Sequence, residues 1–145
     1  MKNFEYNLDE LDALLPEIWD QMQQAQVVAL VGDLGAGKTT FVAHLCQYLQ
    51  VKDDVSSPTF ALYNEYLLPE HTLKYRIIHA DLYRIEEIGE LMDIGFEEML
   101  EDKHTLFFIE WPQVAEPLLP ENTLLLQITI EPDGKRKMQI QSYFE

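Results

Sequence analysis

Cysteine and long hydrophobic runs are what this chain of 145 residues has least of. Cys46 is the only cysteine, which excludes an intramolecular disulfide and a cysteine-rich metal site. No stretch approaches the roughly 20 apolar residues that a membrane-spanning helix requires, and the N-terminus lacks a basic-then-apolar export signal. We therefore expect a cytoplasmic protein without membrane contact, in which Cys46 is a small apolar packing residue.

Basic residues are also scarce: ten Lys and Arg face 26 Asp and Glu, which gives a formal net charge of −16. Such a surface repels phosphate backbones and argues against direct, tight binding to DNA or RNA. The short run Lys135-Arg136-Lys137 does not reverse that balance, and we interpret it as part of a solvated hairpin. Nine of the acids lie between Asp81 and Asp102. They form either an acidic docking face or a surface that only solubilises the protein, and the sequence leaves both open.

One motif indicates that the protein binds a phosphate group. It is a full match to the phosphate-binding loop pattern G-x-x-x-x-G-K-[ST]. It consists of Gly32-Asp33-Leu34-Gly35-Ala36-Gly37-Lys38-Thr39. Glycines let the backbone point its N–H groups into one concavity, Lys38 adds a charge for the β- and γ-phosphates, and the Thr39 hydroxyl can bind Mg²⁺. The loop stands between the apolar run 27–31, typical of a buried strand, and residues 40–49, whose apolar positions recur at helical spacing. The alternative is a glycine-rich turn without a ligand; we interpret the loop as a nucleotide site at a helix N-terminus.

The other apolar patterns outline the remaining elements. They predict strands over 3–6, 59–67, 73–80, 105–110, 124–130 and 138–144, a helix over 11–22 that Pro16 bends or divides, and an acidic helical segment over 86–102 broken by Gly89 and Gly95. The strands at 59–67 and 73–80 are expected to form a hairpin with a connection of roughly four to six residues. Asp133-Gly134 predicts a second hairpin near the end of the chain. Together these patterns predict one three-layer α/β domain over residues 1–145 with a mixed sheet.

Two carboxylates stand where an apolar strand ends, which is where Mg-nucleotide chemistry needs them. Asp81 follows the strand that contains His79, and Glu110 follows the run 105–109. Ligands gather at the carboxyl ends of strands in open α/β sheets, so either acid could reach a metal ion. One would hold Mg²⁺ directly or through water while the other orients the attacking water, and the sequence assigns neither role. The alternative for each is a helix cap or a pair with a basic residue, and His79 itself is interpreted as a hydrogen-bonded core residue.

Two further positions have two interpretations each. The hydroxyls of Ser57-Pro58-Thr59 could sense the γ-phosphate as switch loops do, or belong to an ordinary turn around a proline. Trp111, directly after Glu110, could pack on the nucleotide or on a partner, or be a core tryptophan.

Four segments in this order carry a resemblance to a known family: 32–40 (the phosphate loop), Ser57-Pro58-Thr59-Phe60, His79-Ala80-Asp81-Leu82-Tyr83-Arg84 and Glu110-Trp111-Pro112. The chain closely resembles the TsaE (YjeE) family of bacterial P-loop ATPases over roughly residues 5 to 130. The resemblance implies a three-layer P-loop NTPase fold with a mixed, largely parallel central sheet and antiparallel flanking strands. It also implies a role in forming N6-threonylcarbamoyladenosine (t6A) at position 37 of tRNAs. There the family member is an ATPase that docks on the TsaB–TsaD complex and meets the tRNA only indirectly.

The resemblance also implies ligands and site residues. The ligands are ATP and Mg²⁺, with Thr39 and Glu110 as metal contacts and Lys38, Asp81 and Glu110 in catalytic roles. Asp81 and Thr59 would belong to two switch-like segments, and Trp111 to the surroundings of the nucleotide. The expected nucleotide-binding residues are Asp33, Gly35, Ala36, Gly37, Lys38, Thr39, Thr40, Thr59 and Trp111.

Three other functions share the loop. A small-molecule or nucleotide kinase usually needs an Arg-rich lid, and the three widely spaced arginines, Arg76, Arg84 and Arg136, count against it. A GTPase switch would carry the guanine-reading sequence Asn-Lys-x-Asp, which is absent. A nucleotide-binding scaffold without useful turnover stays open.

Overall fold

The computed structural model describes residues 2–33, 35–53, 55, 62–70 and 72–144. Seven strands and four α-helices lie in these ranges. In chain order they are β1 (Lys2–Tyr6), α1 (Leu11–Met22), β2 (Val27–Val31), α2 (Lys38–Tyr48), β3 (Tyr63–Leu67), β4 (Arg76–Asp81), α3 (Ile88–Asp93), α4 (Phe96–Leu100), β5 (Thr105–Glu110), β6 (Leu124–Ile130) and β7 (Arg136–Ser142). Two 3₁₀ helices, Leu8–Glu10 and Pro112–Leu118, precede α1 and β6.

The strands form one mixed sheet in the order β1-β7-β6-β2-β5-β4-β3. Its centre, β6-β2-β5-β4, is parallel. β7 and β1 extend it antiparallel on one side, and β3 pairs antiparallel with β4 on the other. This confirms the predicted α/β fold with a largely parallel centre and antiparallel flanking strands. Because parallel strands end at the same edge, the carboxyl ends of β2, β4, β5 and β6 lie together.

Helices cover both faces of the sheet and create two hydrophobic layers. On one face α1 and α2 pack against the sheet, with the ring of Phe41 6.1 Å from that of Phe108. On the other face α3, α4 and the second 3₁₀ helix pack, with the ring of Phe96 5.8 Å from that of Phe107. Successive strand residues point to opposite faces, so a strand covered on both sides is apolar throughout. This explains why β5 is buried along its whole length.

The acidic segment 86–102 contains two short helices, and only one of its glycines separates them. Gly95 joins α3 to α4 at a φ of 75°, a left-handed conformation that glycine accepts. Gly89 lies in the first turn of α3, so the prediction that it breaks the helix is wrong. The Glu90 carboxylate accepts hydrogen bonds from the N–H groups of Glu86 and Glu87 at 2.8 and 3.1 Å, which stabilises that turn despite the glycine.

The β3–β4 hairpin is present, but its connection, residues 68–75, is longer than predicted. Lys74 Nζ donates to the carbonyl oxygen of Lys103 at 2.8 Å, and the Tyr75 N–H donates to that of His104 at 2.8 Å. These two residues are therefore bound to the loop before β5, and pairing with β3 begins only at Arg76.

Two smaller predictions concern α1 and α2. α1 continues through Pro16 without a break. Cys46 on α2 is 1% exposed, which confirms it as a packing residue. Among the helices in the described ranges, none combines the length and the apolar character needed to cross a membrane.

Candidate functional site

The carboxyl edge of the parallel strands opens into a cleft of about 700 Å³. The phosphate-loop residues, the ends of β4 and β5 and the first residue of β7 meet there. Its lining residues are Gly32, Asp33, Gly35, Gly37, Lys38, Thr39, Thr40, Asp81, Tyr83, Glu110, Trp111 and Arg136. The topology thus brings Arg136 to the phosphate loop, where it contacts Ala36, a residue 100 positions earlier in the chain.

The loop between β2 and α2 has a backbone that requires its glycines. Gly35 and Gly37 have φ angles of 83° and 108°, which L-residues with a side chain rarely adopt. A Cβ on Gly32 would lie 2.6 Å from the backbone oxygen of Ile128, so this glycine lets the loop pass close to β6. α2 begins at Lys38, so its unpaired N–H groups and its dipole favour an anion at the loop.

Lys38 is held inside the site by two oxygen atoms. Its Nζ donates to the carbonyl oxygen of Gly32 at 2.8 Å and lies 3.3 Å from Glu110 Oε1. Both charged side chains are almost buried, at 13% and 8% exposure. Burying an ion pair of this kind carries a desolvation cost. Removing only one partner destabilises the protein most, because the other charge is left buried without a counter-charge. The lysine of the loop therefore already has a carboxylate as its counter-charge.

Glu110 has a second partner on the neighbouring strand. His79 Nε2 lies 2.7 Å from Glu110 Oε2, and the ring is fully buried, which confirms the interpretation of His79 as a hydrogen-bonded core residue. His79 Nδ1 has no hydrogen-bond partner among the described residues. Burial raises the pKa of Glu110, but the hydrogen bond and attraction of His79 and the charge of Lys38 outweigh it and hold the pKa below its usual value. Glu110 is therefore a carboxylate held in its charged form.

Asp81 stands beside Glu110 on the adjacent parallel strand, directly opposite it in the register of β4 and β5. Its Oδ1 accepts a hydrogen bond from the Tyr83 N–H at 3.0 Å, which fixes the turn that leaves β4. Asp81 is half-buried and lines the cleft. The two acids found from their strand-terminal positions thus lie side by side, with different partners.

Trp111 lies at the mouth of the cleft. It is 50% exposed, so the alternative of a core tryptophan is wrong. Its φ of 56° turns the chain sharply after β5, and its ring lies 5.1 Å from that of Tyr83. The pair forms an aromatic surface next to the phosphate loop that a base or a partner could contact.

The remaining predicted site residues are distributed unevenly. Asp33, Thr39 and Thr40 line the cleft, whereas the Ala36 side chain is 2% exposed and belongs to the hydrophobic core. Ser57, Pro58 and Thr59 lie outside the described residues. Within the described ranges no three His, Cys, Asp or Glu side chains form a metal cluster. A hard cation here would complete its shell with phosphate oxygens and water, as Mg²⁺ usually does.

Sequence reasoning missed Arg136, which we had interpreted as part of a solvated hairpin. β7 begins at Arg136 rather than at Met138, and the Arg136 Nε–H donates to the Ala36 carbonyl oxygen at 3.1 Å. The side chain is half-buried and lines the cleft, so the solvated interpretation is wrong for this residue. The hairpin of β6 and β7 agrees with the Asp133-Gly134 signal, but the pairing of β6 with β2, which brings Arg136 to the phosphate loop, is a long-range feature that no local pattern around residue 136 reveals.

Known proteins share this sequence and architecture. The family model of the threonylcarbamoyl adenosine biosynthesis protein TsaE matches residues 6–139. The tRNA threonylcarbamoyladenosine biosynthesis protein TsaE of Aquifex aeolicus is 37% identical over 129 residues, 88% of this chain and 85% of that protein. The TsaE protein of Bacillus subtilis is 35% identical over 115 residues, 77% of this chain and 66% of that protein. The crystal structure of YdiB from Bacillus subtilis superimposes with a TM-score of 0.64 at 25% identity, covering 97% of this chain and 86% of that one. With its phosphate loop at the carboxyl edge of a largely parallel sheet, the chain belongs to the TsaE family, which takes part in t6A biosynthesis.

Proposed function

We propose that this protein binds and hydrolyses Mg-ATP in the cleft beside Lys38, and that this turnover supports t6A formation through the TsaB–TsaD complex. The observation that carries the proposal is the Lys38–Glu110 pair, 3.3 Å apart at the N-terminus of α2. A lysine and a carboxylate held together at an anion-favouring helix end form a site that a Mg-nucleotide can occupy by exchanging partners. The phosphates replace Glu110 as counter-charge of Lys38, and Glu110 becomes available to the metal ion.

The donors of the cleft fit a magnesium ion. The Thr39 hydroxyl and the Glu110 carboxylate are oxygen ligands of the type that Mg²⁺ prefers, and both line the cleft. We assign these two residues to hold it. When bound, Mg²⁺ would neutralise charge on the transferred phosphoryl group.

Asp81 is then free to position the water. In hydrolysis the water oxygen forms a bond to the γ-phosphorus while the bond to the bridging β–γ oxygen breaks, giving ADP, hydrogen phosphate and one proton released to solvent. Asp81 accepts a hydrogen bond from that water, and its own contact with the Tyr83 N–H holds the carboxylate in place. Lys38 offsets the negative charge that develops on the phosphates.

The charge of the protein supports contact with a protein partner rather than with tRNA. With a net charge of −16, the chain repels the phosphate backbone of nucleic acid. We therefore assign TsaB–TsaD as the direct partner, with tRNA acting only through that complex.

The test measures ATP hydrolysis with Mg²⁺, with and without purified TsaB–TsaD and tRNA, and scores t6A over several cycles in the same samples. The proposal predicts turnover that the complex stimulates, that Lys38→Ala abolishes and that the exposed control Lys52→Ala leaves unchanged. If neither turnover nor t6A formation depends on the added complex, the proposal is wrong. Transfer of the phosphoryl group to a small-molecule acceptor would instead establish the kinase alternative.

A further inference from the structure

Arg136 reaches the phosphate loop from the opposite end of the chain. Its Nε–H donates to the Ala36 carbonyl oxygen at 3.1 Å, and a Cβ on Gly37 would lie 3.0 Å from that Nε. The guanidinium group therefore lies directly against the loop backbone, immediately before the first residue of α2. The side chain is half-buried and lines the same cleft as Lys38 and Glu110.

The sheet order explains how this contact arises. β6 is parallel to β2, so the end of β6 lies beside the phosphate loop. β7 returns antiparallel, and its first residue, Arg136, pairs with Ile130 at the end of β6 and with Tyr6 at the end of β1. Arg136, which the sequence places next to a hairpin turn, therefore lies at the edge of the sheet where the phosphate loop lies.

Four N–H donors of the guanidinium are not accounted for by the loop. Of its five N–H groups, only Nε–H makes a hydrogen bond to a described residue. The described lining of the cleft contains the acids Asp33, Asp81 and Glu110 and the two cations Lys38 and Arg136. Because the ammonium of Lys38 is taken up by Gly32 and Glu110, Arg136 is the cation of this lining without a carboxylate partner.

The position of Arg136 also indicates which part of a nucleotide it meets. The carboxylates Asp81 and Glu110 end β4 and β5, on one side of β2 in the sheet, whereas Arg136 lies on the other side, beyond β6. The reacting γ-phosphate belongs with the carboxylates. The nucleoside end of the ligand then extends toward Arg136.

We propose that Arg136 is a second nucleotide-binding cation, whose Nε fixes the loop at Ala36 and whose Nη groups bind the α-phosphate of ATP or ADP. This rests on the proposed function, since it requires that the cleft holds a nucleotide. A guanidinium suits the task because its planar fork binds two oxygen atoms of one phosphate, which an ammonium cannot do. Inorganic pyrophosphate carries only the two phosphates that the phosphate loop and the metal ion would hold, so it has none at the α position and gains little from this contact.

The experiment compares the dissociation constants of ATP, ADP and inorganic pyrophosphate, all with Mg²⁺, for the wild-type protein, Arg136→Gln and Arg136→Lys. Lys135→Gln is the matched control, because it makes the same charge change at an exposed position of the same hairpin. We expect Arg136→Gln to weaken the binding of ATP and ADP about tenfold or more, a loss typical of hydrogen bonds to charged groups, while the affinity for pyrophosphate changes little. Arg136→Lys should recover only part of the loss, and Lys135→Gln should behave as wild type.

Three other outcomes of this experiment would contradict the assignment of Arg136. An equal loss for all three ligands would reduce Arg136 to a positioning residue that acts through the loop. Unchanged affinities in both Arg136 variants would remove it from the site. If the wild-type protein bound none of the three ligands, the proposed function itself would fail, and this inference with it. Thermal unfolding of each variant checks that it is folded, and Arg136→Lys preserves the test if Arg136→Gln does not fold.

Discussion

Glu110 is the residue in which burial, charge and proposed chemistry coincide. It is 6% exposed, pairs with Lys38 and accepts a hydrogen bond from His79. The free protein thus stabilises the carboxylate with its own groups, and a bound Mg-nucleotide would take over the lysine. We therefore expect Glu110 to strengthen the binding of ATP only when Mg²⁺ is present.

Glu110→Gln removes the charge while preserving the size of the side chain. We expect it to weaken the binding of ATP in the presence of Mg²⁺ about tenfold or more, because charge-assisted contacts of this kind contribute that much. Without Mg²⁺, ATP should bind as well as or better than in the wild type, because Lys38 has lost a competing partner. Calorimetric titration with and without chelator measures both values.

The control for this prediction is Glu121→Gln, an exposed acid just before β6, at the opposite edge of the sheet. It should change neither affinity. Equal losses with and without Mg²⁺ in Glu110→Gln would exclude Glu110 from the metal site.

At the scale of elements, the site depends on the alignment of β4 with β5, which a cluster at their amino ends holds in register. Arg76 on β4 donates from Nε to Thr105 Oγ1 at 2.7 Å and from Nη1 to Glu65 Oε2 at 2.6 Å. Asp102 receives hydrogen bonds from the Tyr75 hydroxyl at 2.7 Å and from the Thr105 hydroxyl at 2.9 Å. The same register places Asp81 opposite Glu110 at the far end of the strands.

The Asp102 carboxyl makes this cluster sensitive to acid. Burial raises its pKa, but the hydrogen bonds from Tyr75, His104 and Thr105 and the charge of Arg76 outweigh it, so its pKa lies below the ordinary value. A lowered pKa in the folded state contributes stability that is fully present above the unfolded-state pKa of about 3.9, and is lost as pH falls through the folded-state value.

We therefore expect Asp102→Asn to lower the free energy of unfolding by about 1 kcal/mol at pH 7, and by progressively less as pH falls below about 4. Asp93→Asn, the same change at an exposed position of α3, should cost little at any pH. Urea unfolding at several pH values measures the difference. A loss in Asp102→Asn that is constant from pH 7 to pH 3 would contradict the pKa argument.

Local patterns in the sequence predict several elements of the fold, but not the contacts that form between distant elements. The phosphate loop, the strand before Glu110 and the hairpin at Asp133-Gly134 have local patterns, and all three elements were predicted from them. The contacts of Arg136 with Ala36 and of His79 with Glu110 depend on strand order and register, which local periodicity does not encode. The connection 68–75 was underestimated for the same reason, because it is fixed by contacts with the distant loop before β5.

At the scale of the whole molecule, the dominant property is the charge of −16 and its concentration near α3 and α4. Glu86 and Glu98 are exposed there, and so are the apolar side chains of Met92 and Ile94, at 48% and 50%. These side chains would be covered if a partner bound this face. We propose that this face docks on a partner rather than only solubilising the protein.

Reversing two charges on this face tests the alternatives. Glu86→Lys with Glu98→Lys should slow association with TsaB–TsaD severalfold and reduce its dependence on salt, because complementary charge mainly accelerates encounter. The pair Glu5→Lys with Glu121→Lys changes the net charge equally at exposed positions outside the acidic segment. Stopped-flow or surface-binding kinetics compares the two pairs. Equal effects would show that only the total charge matters.

The most direct test of the proposed nucleotide site is the equilibrium affinity for Mg-ATP of the wild type, Lys38→Ala and the exposed control Lys52→Ala. We expect Lys52→Ala to bind as the wild type does and Lys38→Ala to lose about tenfold to a hundredfold in affinity, the range of a charge-assisted contact to phosphate. Each variant is first shown to be folded by its thermal unfolding. If folded Lys38→Ala binds Mg-ATP with the affinity of the wild type, the cleft beside Lys38 is not the nucleotide site and the proposed function is wrong.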